Sequence, residues 1–194
     1  SAEKDNRSIL ENGMETLENY KNSIKKIYGT KAEEILKIYP AKDDSEVAQI
    51  ATDLASDRYI AYGTWKLMDL HSKTNGWPVY RYLFSRKRPK FIGTGDNNFN
   101  PLGAVHASDI EYALGNLLLN DRYEWTKSDF ETSKTMQGFI VNFVKTANPN
   151  GDGLPHWYGL QSSIPKVMII DSISKSEPEK NGKRYIQFDY LMSE

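Results

Sequence analysis

The segment VYRYLF, residues 79–84, is rich in β-branched and aromatic residues and decides the fold class. In an extended chain its side chains alternate between two faces, with Val79, Arg81 and Leu83 on one and Tyr80, Tyr82 and Phe84 on the other. Large apolar side chains on both faces indicate an interior strand covered by helices on each side, which is typical of α/β proteins. Such a core strand needs hydrogen-bonding neighbours along its edges.

Few other segments have strand character. KVMIID (166–171) and RYIQFD (184–189) follow a long helical stretch and predict a small terminal strand pair. These segments provide too few strands for a sheet of the chain's own around 79–84. The sequence therefore predicts an α/β fold of which this chain is a mainly helical portion.

Apolar periodicity and capping residues predict the helices. The predicted regions are Thr16 to Gly29, Thr30 (with Glu33 in capping-box spacing) to Pro40, Ser45 to about Ser72 with an interruption near Ser56-Asp57, a short helix just after His106 capped by Ser108 and Glu111, and Thr126 to Asn148-Pro149. In the last of these, the pattern predicts inward-facing side chains at Phe130, Met136, Ile140, Phe143 and Val144.

Composition excludes several classes of protein. The 194 residues carry 25 Lys+Arg against 26 Asp+Glu, a net charge of −1, which argues against a nucleic-acid partner held by phosphate neutralisation. The absence of cysteine excludes disulfides, thiolate metal sites and a cysteine nucleophile. No apolar run approaches the roughly 20 residues that span a bilayer, so no membrane span is expected. The first residues, SAEKDNRSIL, do not form a signal peptide, and the location stays open, with secretion or the periplasm among the alternatives, because a signal peptide would precede residue 1.

His106 lies between a glycine-containing turn and a predicted helix start, a loop position from which a scaffold can present a reactive side chain. A structural or surface role is the simpler interpretation of a single histidine. His71 and His156 have no comparable context, and no two of the three histidines have the helical spacing of zinc ligands, so a metal is not expected.

The segment around His106, GAVHASDIEYALGNL (103–117), resembles the catalytic-histidine segment of the type B carboxylesterases, the α/β-hydrolase family that includes the cholinesterases. Further similar segments follow the family's order: VYRYLF (79–84), Trp125-Thr126, Met136, NFVKTANPNG (142–151) and LPHW (154–157). The resemblance covers nearly the whole chain. It implies that residues 1–194 are the C-terminal part of one α/β-hydrolase catalytic domain.

The resemblance implies a Ser-Glu-His triad with His106 as its histidine. Ser1-Ala2-Glu3 resembles the end of the motif that carries the family's catalytic acid, which makes Glu3 the candidate and Asp5 the backup. Lys4 departs from the glycine that the family often has after the acid. Asp109 matches an acidic position that the family commonly has, although at a helix start it can simply favour the helix dipole. The family's nucleophile lies in a GxSxG elbow, which none of the 194 residues forms, so the serine and the oxyanion hole are expected in a missing N-terminal part.

These features predict a carboxylesterase-type serine hydrolase that acts on small-molecule esters without a cofactor, and an isolated chain that is inactive and self-associates. The chain would be a cloned fragment, a processed subunit or a truncated gene product, and its start within a motif favours the first. The alternative is a non-catalytic, cholinesterase-like binding or adhesion protein, because the same fold hosts both functions. An independent, mainly helical interaction module is a third interpretation, which requires the strand at 79–84 to find its partners within this chain.

Overall fold

The computed structural model describes residues 6–74, 76–93, 103–160 and 165–193. The chain divides into two compact units, a helical unit (residues 2–69 and 180–194) and a sheet unit (residues 70–179). The helices are α1 (Leu17–Tyr28), α2 (Ala32–Ile38), α3 (Asp44–Ser56), α4 (Tyr62–Thr74), α5 (Ile110–Leu114), α6 (Lys127–Thr146) and α7 (Gly182–Ser193), and the strands are β1 (Tyr82–Phe84), β2 (Lys166–Ile170) and β3 (Lys175–Pro178). The predicted fold class, mainly helical with a small sheet, is confirmed.

The helical unit follows the sequence pattern closely at its start. Thr16 caps α1 by accepting a hydrogen bond from the amide of Asn19, and Gly29, at a φ of 55°, ends it. The predicted second helix is confirmed as α2, but a 3₁₀ turn over Gly29–Lys31 precedes it and Thr30 does not cap it. The predicted interruption near Ser56-Asp57 is confirmed as a π-helical turn over Asp57–Ala61 that separates α3 from α4.

The predicted strand at 184–189 is wrong, because this segment lies within α7. Tyr185, Phe188 and Leu191 recur at a spacing of three residues and are buried, and Phe188 and Leu191 pack in one core with side chains of α1, α2 and α3. The aromatic content of RYIQFD favoured a strand, but burial of one helical stripe decides its structure. The remaining core residues of this unit include Tyr20, Ile24, Ile35, Tyr39, Val47 and Leu54.

The sheet unit contains a three-stranded sheet in the order β1-β2-β3. The predicted strand at 166–171 is confirmed as β2, which pairs in parallel with β1 and antiparallel with β3. Its antiparallel partner is therefore the polar segment Lys175–Pro178, not the segment 184–189. The three strands form a sheet within this chain, contrary to the prediction that the chain provides too few strands for one.

The core strand predicted over 79–84 is only partly confirmed. β1 begins at Tyr82, and among the described residues it lies at a sheet edge with β2 as its neighbour. Phe84 is fully buried, but Tyr82 and Leu83 are each 40% exposed, so the prediction that both faces are buried is wrong for these two residues. Before β1, the carbonyl of Val79 accepts a hydrogen bond from the amide of Leu160. The carbonyl of Arg81 accepts hydrogen bonds from the indole of Trp157 and from the amide of Met168 on β2.

Helix α6 begins after Thr126, as predicted, and ends at Ala147, which adopts a φ of 59°. The predicted inward residue Met136 is buried. The other four are wrong, with exposures from 39% to 78%. The buried side of α6 is instead formed by Asp129, Thr132, Ser133, Met136 and Phe139, which is the side that faces the core residues Phe84, Tyr112, Trp157, Met168 and Ile170.

Candidate active site

His106 lies at the exposed tip of a tight turn in the sheet unit. The amide of Ser108 donates to the carbonyl of Val105 over 3.1 Å, which closes the turn around His106 and Ala107. The residues on either side of the turn, Ala104 and Ser108, are buried, so the turn is anchored at both ends. This arrangement presents the imidazole to solvent from a fixed backbone.

Ala107, directly after His106, has a left-handed conformation with a φ of 61°. Glycine adopts such a conformation readily, whereas in alanine the Cβ atom approaches the following carbonyl oxygen and makes it unfavourable. The turn therefore needs contacts that hold Ala107 in place. The carbonyl of Ala107 accepts a hydrogen bond of 3.2 Å from Nη2 of Arg88.

The start of α5 differs from the prediction. The N-cap position is Asp109, whose side chain makes no capping hydrogen bond, so the capping box of Ser108 and Glu111 is wrong. Glu111 instead pairs with Arg88 at 2.5 Å. The hydroxyl of Ser108 is buried and has no hydrogen-bond partner within the described ranges.

Asp109 is bound to the sheet. Its carboxylate accepts a hydrogen bond of 3.0 Å from the hydroxyl of Tyr82 on β1. Burial, together with the negative charge of Asp109 and this hydrogen bond, raises the pKa of Tyr82 to about 12. The acidic residue next to the His106 turn therefore joins the turn to β1, which goes beyond the helix-dipole role that the sequence suggested.

Asp129 forms a buried polar centre behind the turn that sequence reasoning missed. Its fully buried carboxylate accepts hydrogen bonds from Nε of Arg86 at 2.8 Å, from the hydroxyl of Tyr112 at 2.8 Å, and from the amide and hydroxyl of Thr126 at 2.8 and 2.6 Å. Burial alone would raise the pKa of Asp129, but the hydrogen bonds from Arg86, Thr126 and Tyr112 outweigh it and hold the pKa below its usual value. These bonds join the first turn of α6 to α5, which follows the His106 turn directly. The spacing Thr126-x-x-Asp129 is that of a capping box and could have revealed the residue.

The candidate acid, Glu3, and its backup, Asp5, lie outside the described residues. The contact between Glu3 and His106 therefore stays a prediction. Within the described ranges, no group of three His, Asp or Glu side chains is arranged to hold a metal ion. In the same part of the chain, every helix is too short or too polar to cross a membrane.

An exposed imidazole on an anchored turn is suited to transfer protons to and from a group that approaches it. The approaching group could be the hydroxyl of a nucleophilic residue or an oxygen of the substrate. We assign no nucleophile among the described side chains.

Comparison with known proteins gives a consistent result. The model of the carboxylesterase family matches residues 1–188. Among curated proteins, the chain is 26% identical to the medium-chain fatty acyl-CoA hydrolase precursor of Anas platyrhynchos over 127 residues, covering 64% of this chain and 22% of that protein. It is 29% identical to carboxylesterase 4A of Bos taurus over 125 residues, covering 64% of this chain and 22% of that protein. It is 35% identical to the liver carboxylesterase of Sus scrofa over 82 residues, covering 42% of this chain and 14% of that protein.

The chain thus spans about a fifth of the length of the first two of these relatives. The family match extends over the segments of the His106 turn, α6 and the sheet, which are the segments that carry the candidate site. The chain belongs to the carboxylesterase family.

Proposed function

We propose that residues 1–194 are the C-terminal part of the catalytic domain of a serine carboxylic-ester hydrolase. The observation that supports the proposal best is His106, exposed at the tip of an anchored turn in a segment with the family's catalytic-histidine pattern. The whole protein would act on small-molecule carboxylic esters. The relatives named above are carboxylesterases and an acyl-CoA hydrolase, all enzymes that cleave an acyl group from oxygen or sulfur.

In this proposal His106 is the general base and acid of the reaction. It takes the proton of the serine hydroxyl as the serine oxygen attacks the ester carbonyl, and it gives that proton to the departing alcohol oxygen as the acyl-enzyme forms. In the second half it takes a proton from water, which attacks the acyl carbonyl, and returns it to the serine. Glu3 would accept a hydrogen bond from the ring and stabilise the imidazolium in both halves.

The nucleophile and the oxyanion hole would come from a missing N-terminal part of the same fold, because no GxSxG pattern occurs in the 194 residues. The isolated chain should therefore hydrolyse no ester above background, since it has neither the attacking oxygen nor the donors that stabilise the tetrahedral intermediate. This distinguishes the proposal from a non-catalytic binding protein, whose complete form would also be inactive.

The test is the hydrolysis of a short-chain 4-nitrophenyl ester by the complete protein, by the isolated chain and by two histidine variants. His106→Ala in the complete protein should lower kcat by roughly three powers of ten or more, because triad members act as a unit. His156→Ala is the matched control, since His156 is also exposed in the sheet unit, and should leave kcat unchanged. Equal turnover by the wild-type and His106→Ala proteins would overturn the proposal, and an inactive complete protein would favour the binding-protein alternative.

A further inference from the structure

We propose that Arg88 is a positioning residue that fixes the direction of His106 by holding the carbonyl of Ala107. The proposal rests on the proposed function, because the direction of the imidazole matters only where it transfers a proton. Its basis is a hydrogen bond of 3.2 Å from Nη2 of Arg88 to the carbonyl oxygen of Ala107. Ala107 lies between His106 and the buried Ser108.

The backbone conformation at Ala107 explains why such a contact is needed. With a φ of 61°, Ala107 occupies the left-handed region, which is unfavourable for a residue with a Cβ atom. Relaxation to a negative φ would rotate the peptide plane between His106 and Ala107 or the one after it. The carbonyl oxygen of Ala107 could then no longer face Arg88, and the imidazole of His106 would change direction.

The guanidinium of Arg88 is itself held by two further residues, Glu111 and Tyr123. Nη2 pairs with Oε2 of Glu111 at 2.5 Å, Nη1 donates to the hydroxyl of Tyr123 at 3.0 Å, and the guanidinium carbon lies 5.1 Å from the centre of the Tyr123 ring. The other carboxylate oxygen of Glu111 accepts a hydrogen bond from the side chain of Asn120. The side chains of Arg88 and Glu111 are only 18% and 16% exposed, so water competes weakly for these bonds.

A planar guanidinium with several donors can serve the carbonyl, the carboxylate and the tyrosine at once, whereas a lysine ammonium is a single point charge. We therefore expect loss of Arg88 to affect the alignment of the reacting groups and to leave substrate binding largely intact. A displacement of about 1 Å in an aligned group lowers kcat by about a hundredfold.

The experiment compares Arg88→Met with Arg81→Met in the complete protein. Arg81 forms an ion pair with Glu179 in the same unit, and the two side chains are each 13% exposed, so its loss removes a comparably buried Arg–Glu pair that includes no residue of the His106 turn. Arg88→Met should lower kcat by about ten- to a hundredfold with KM within about twofold of wild type, and Arg81→Met, at a comparable drop in Tm, should keep its kcat.

Two further variants separate positioning from general destabilisation. Ala107→Gly added to Arg88→Met should raise kcat several-fold, because glycine accepts the left-handed conformation without the arginine, and it should not raise the kcat of Arg81→Met. If Arg88→Met does not fold, Arg88→Lys, which keeps a charge beside Glu111, is measured with and without Ala107→Gly under the same criteria.

Near-wild-type kcat in the Arg88 variant, an equal loss of kcat in Arg81→Met, or no rescue by Ala107→Gly would overturn the proposal. The His106→Ala variant is measured alongside. If it retains wild-type turnover, the proposed function has failed and the role of Arg88 with it. If it is inactive while the Arg88 variant is fully active, only the role of Arg88 is wrong.

Discussion

Replacing Asp129 with alanine should loosen the structure behind the His106 turn. In the described structure, the carboxylate of Asp129 accepts hydrogen bonds from the hydroxyl of Tyr112, from the side chain of Arg86 and from Thr126 at the start of α6. The substitution removes this shared acceptor. Breaking a fully buried pair costs about 3–5 kcal/mol. Because the side chain of Arg86 is 21% exposed and can recruit water, we expect a value near the lower end, about 3 kcal/mol.

Hydrogen exchange followed by mass spectrometry measures this effect locally. At about 1.4 kcal/mol per factor of ten, amides in α5 and the first turn of α6 should exchange roughly a hundredfold faster in Asp129→Ala. Glu131→Ala is the matched control on the same helix, since that side chain is 62% exposed and pairs only with Lys127 in the contacts described, a surface pair worth a few tenths of a kcal/mol.

The effect of Asp129 also has a defined pH dependence. Its folded-state pKa lies below the usual value, so its contribution to stability is fully present above the unfolded-state pKa of about 3.9 and is lost as the pH falls through the folded-state pKa. The difference between wild type and Asp129→Ala should therefore be constant from about pH 8 to pH 5 and shrink only below about pH 4. Equal protection in Asp129→Ala and Glu131→Ala would refute the reasoning.

Three further predictions concern stability and association. Arg184→Met should destabilise the helical unit by about 3 kcal/mol because it leaves the buried carboxylate of Asp57 without its cation. Burial already raises the pKa of Asp57, and removing Arg184 raises it further. The fall in Tm should therefore shrink as the pH is lowered and Asp57 takes up a proton, and a pH-independent fall would contradict this. Gly115→Ala should lower stability by about 1 kcal/mol or more, because Gly115 ends α5 at a φ of 68° and an added Cβ atom would overlap the side-chain amide of Gln137. Gly63→Ala, in open space within α4, should not lower Tm. The isolated chain should self-associate through the edge of β1 that has no strand neighbour among the described residues, and Leu83→Lys should shift it towards monomer in size-exclusion chromatography with light scattering; a chain that is monomeric at all concentrations would contradict this.

Local signals predicted the helices from α1 to α6, although not α7. The start of α1 at Thr16 and of α6 after Thr126 depends on a capping residue and an apolar pattern within one or two turns, and both are visible in the sequence. The interruption predicted near Ser56-Asp57 corresponds to the π-helical turn after Ser56. These features depend mainly on residues that are close in sequence, so the sequence pattern can predict them.

Features that depend on distant residues could not be predicted. Segment 184–189 has strand composition, but its structure is decided by residues of α1 to α3 that bury one helical side of α7. β3 is polar and contains a proline, so only its pairing with β2 makes it a strand. For α6, periodicity identified an apolar stripe, but the described part of the sheet unit packs on a different side of the helix.

The candidate site was predicted only in part. A family pattern identified His106, and the structure adds that its turn is exposed, anchored and strained at Ala107. Arg88 had no visible sequence signal of this role, because Ala107 and Glu111 lie 19 and 23 residues away along the chain. For Asp129 the capping-box spacing to Thr126 was visible, but Arg86 and Tyr112 lie 43 and 17 residues away. The position of Glu3 relative to His106 stays a prediction.

The most direct test of the central proposal is covalent labelling of the complete protein with a fluorophosphonate, which reacts with a serine that a neighbouring histidine activates. Mass spectrometry of the adduct and the rate constant of labelling are measured for wild type and for His106→Ala. We expect a single modified serine upstream of residue 1, in a GxSxG segment, and labelling that is slower by roughly three powers of ten in His106→Ala. Modification of a serine within residues 1–194, or an unchanged labelling rate in His106→Ala, would contradict it.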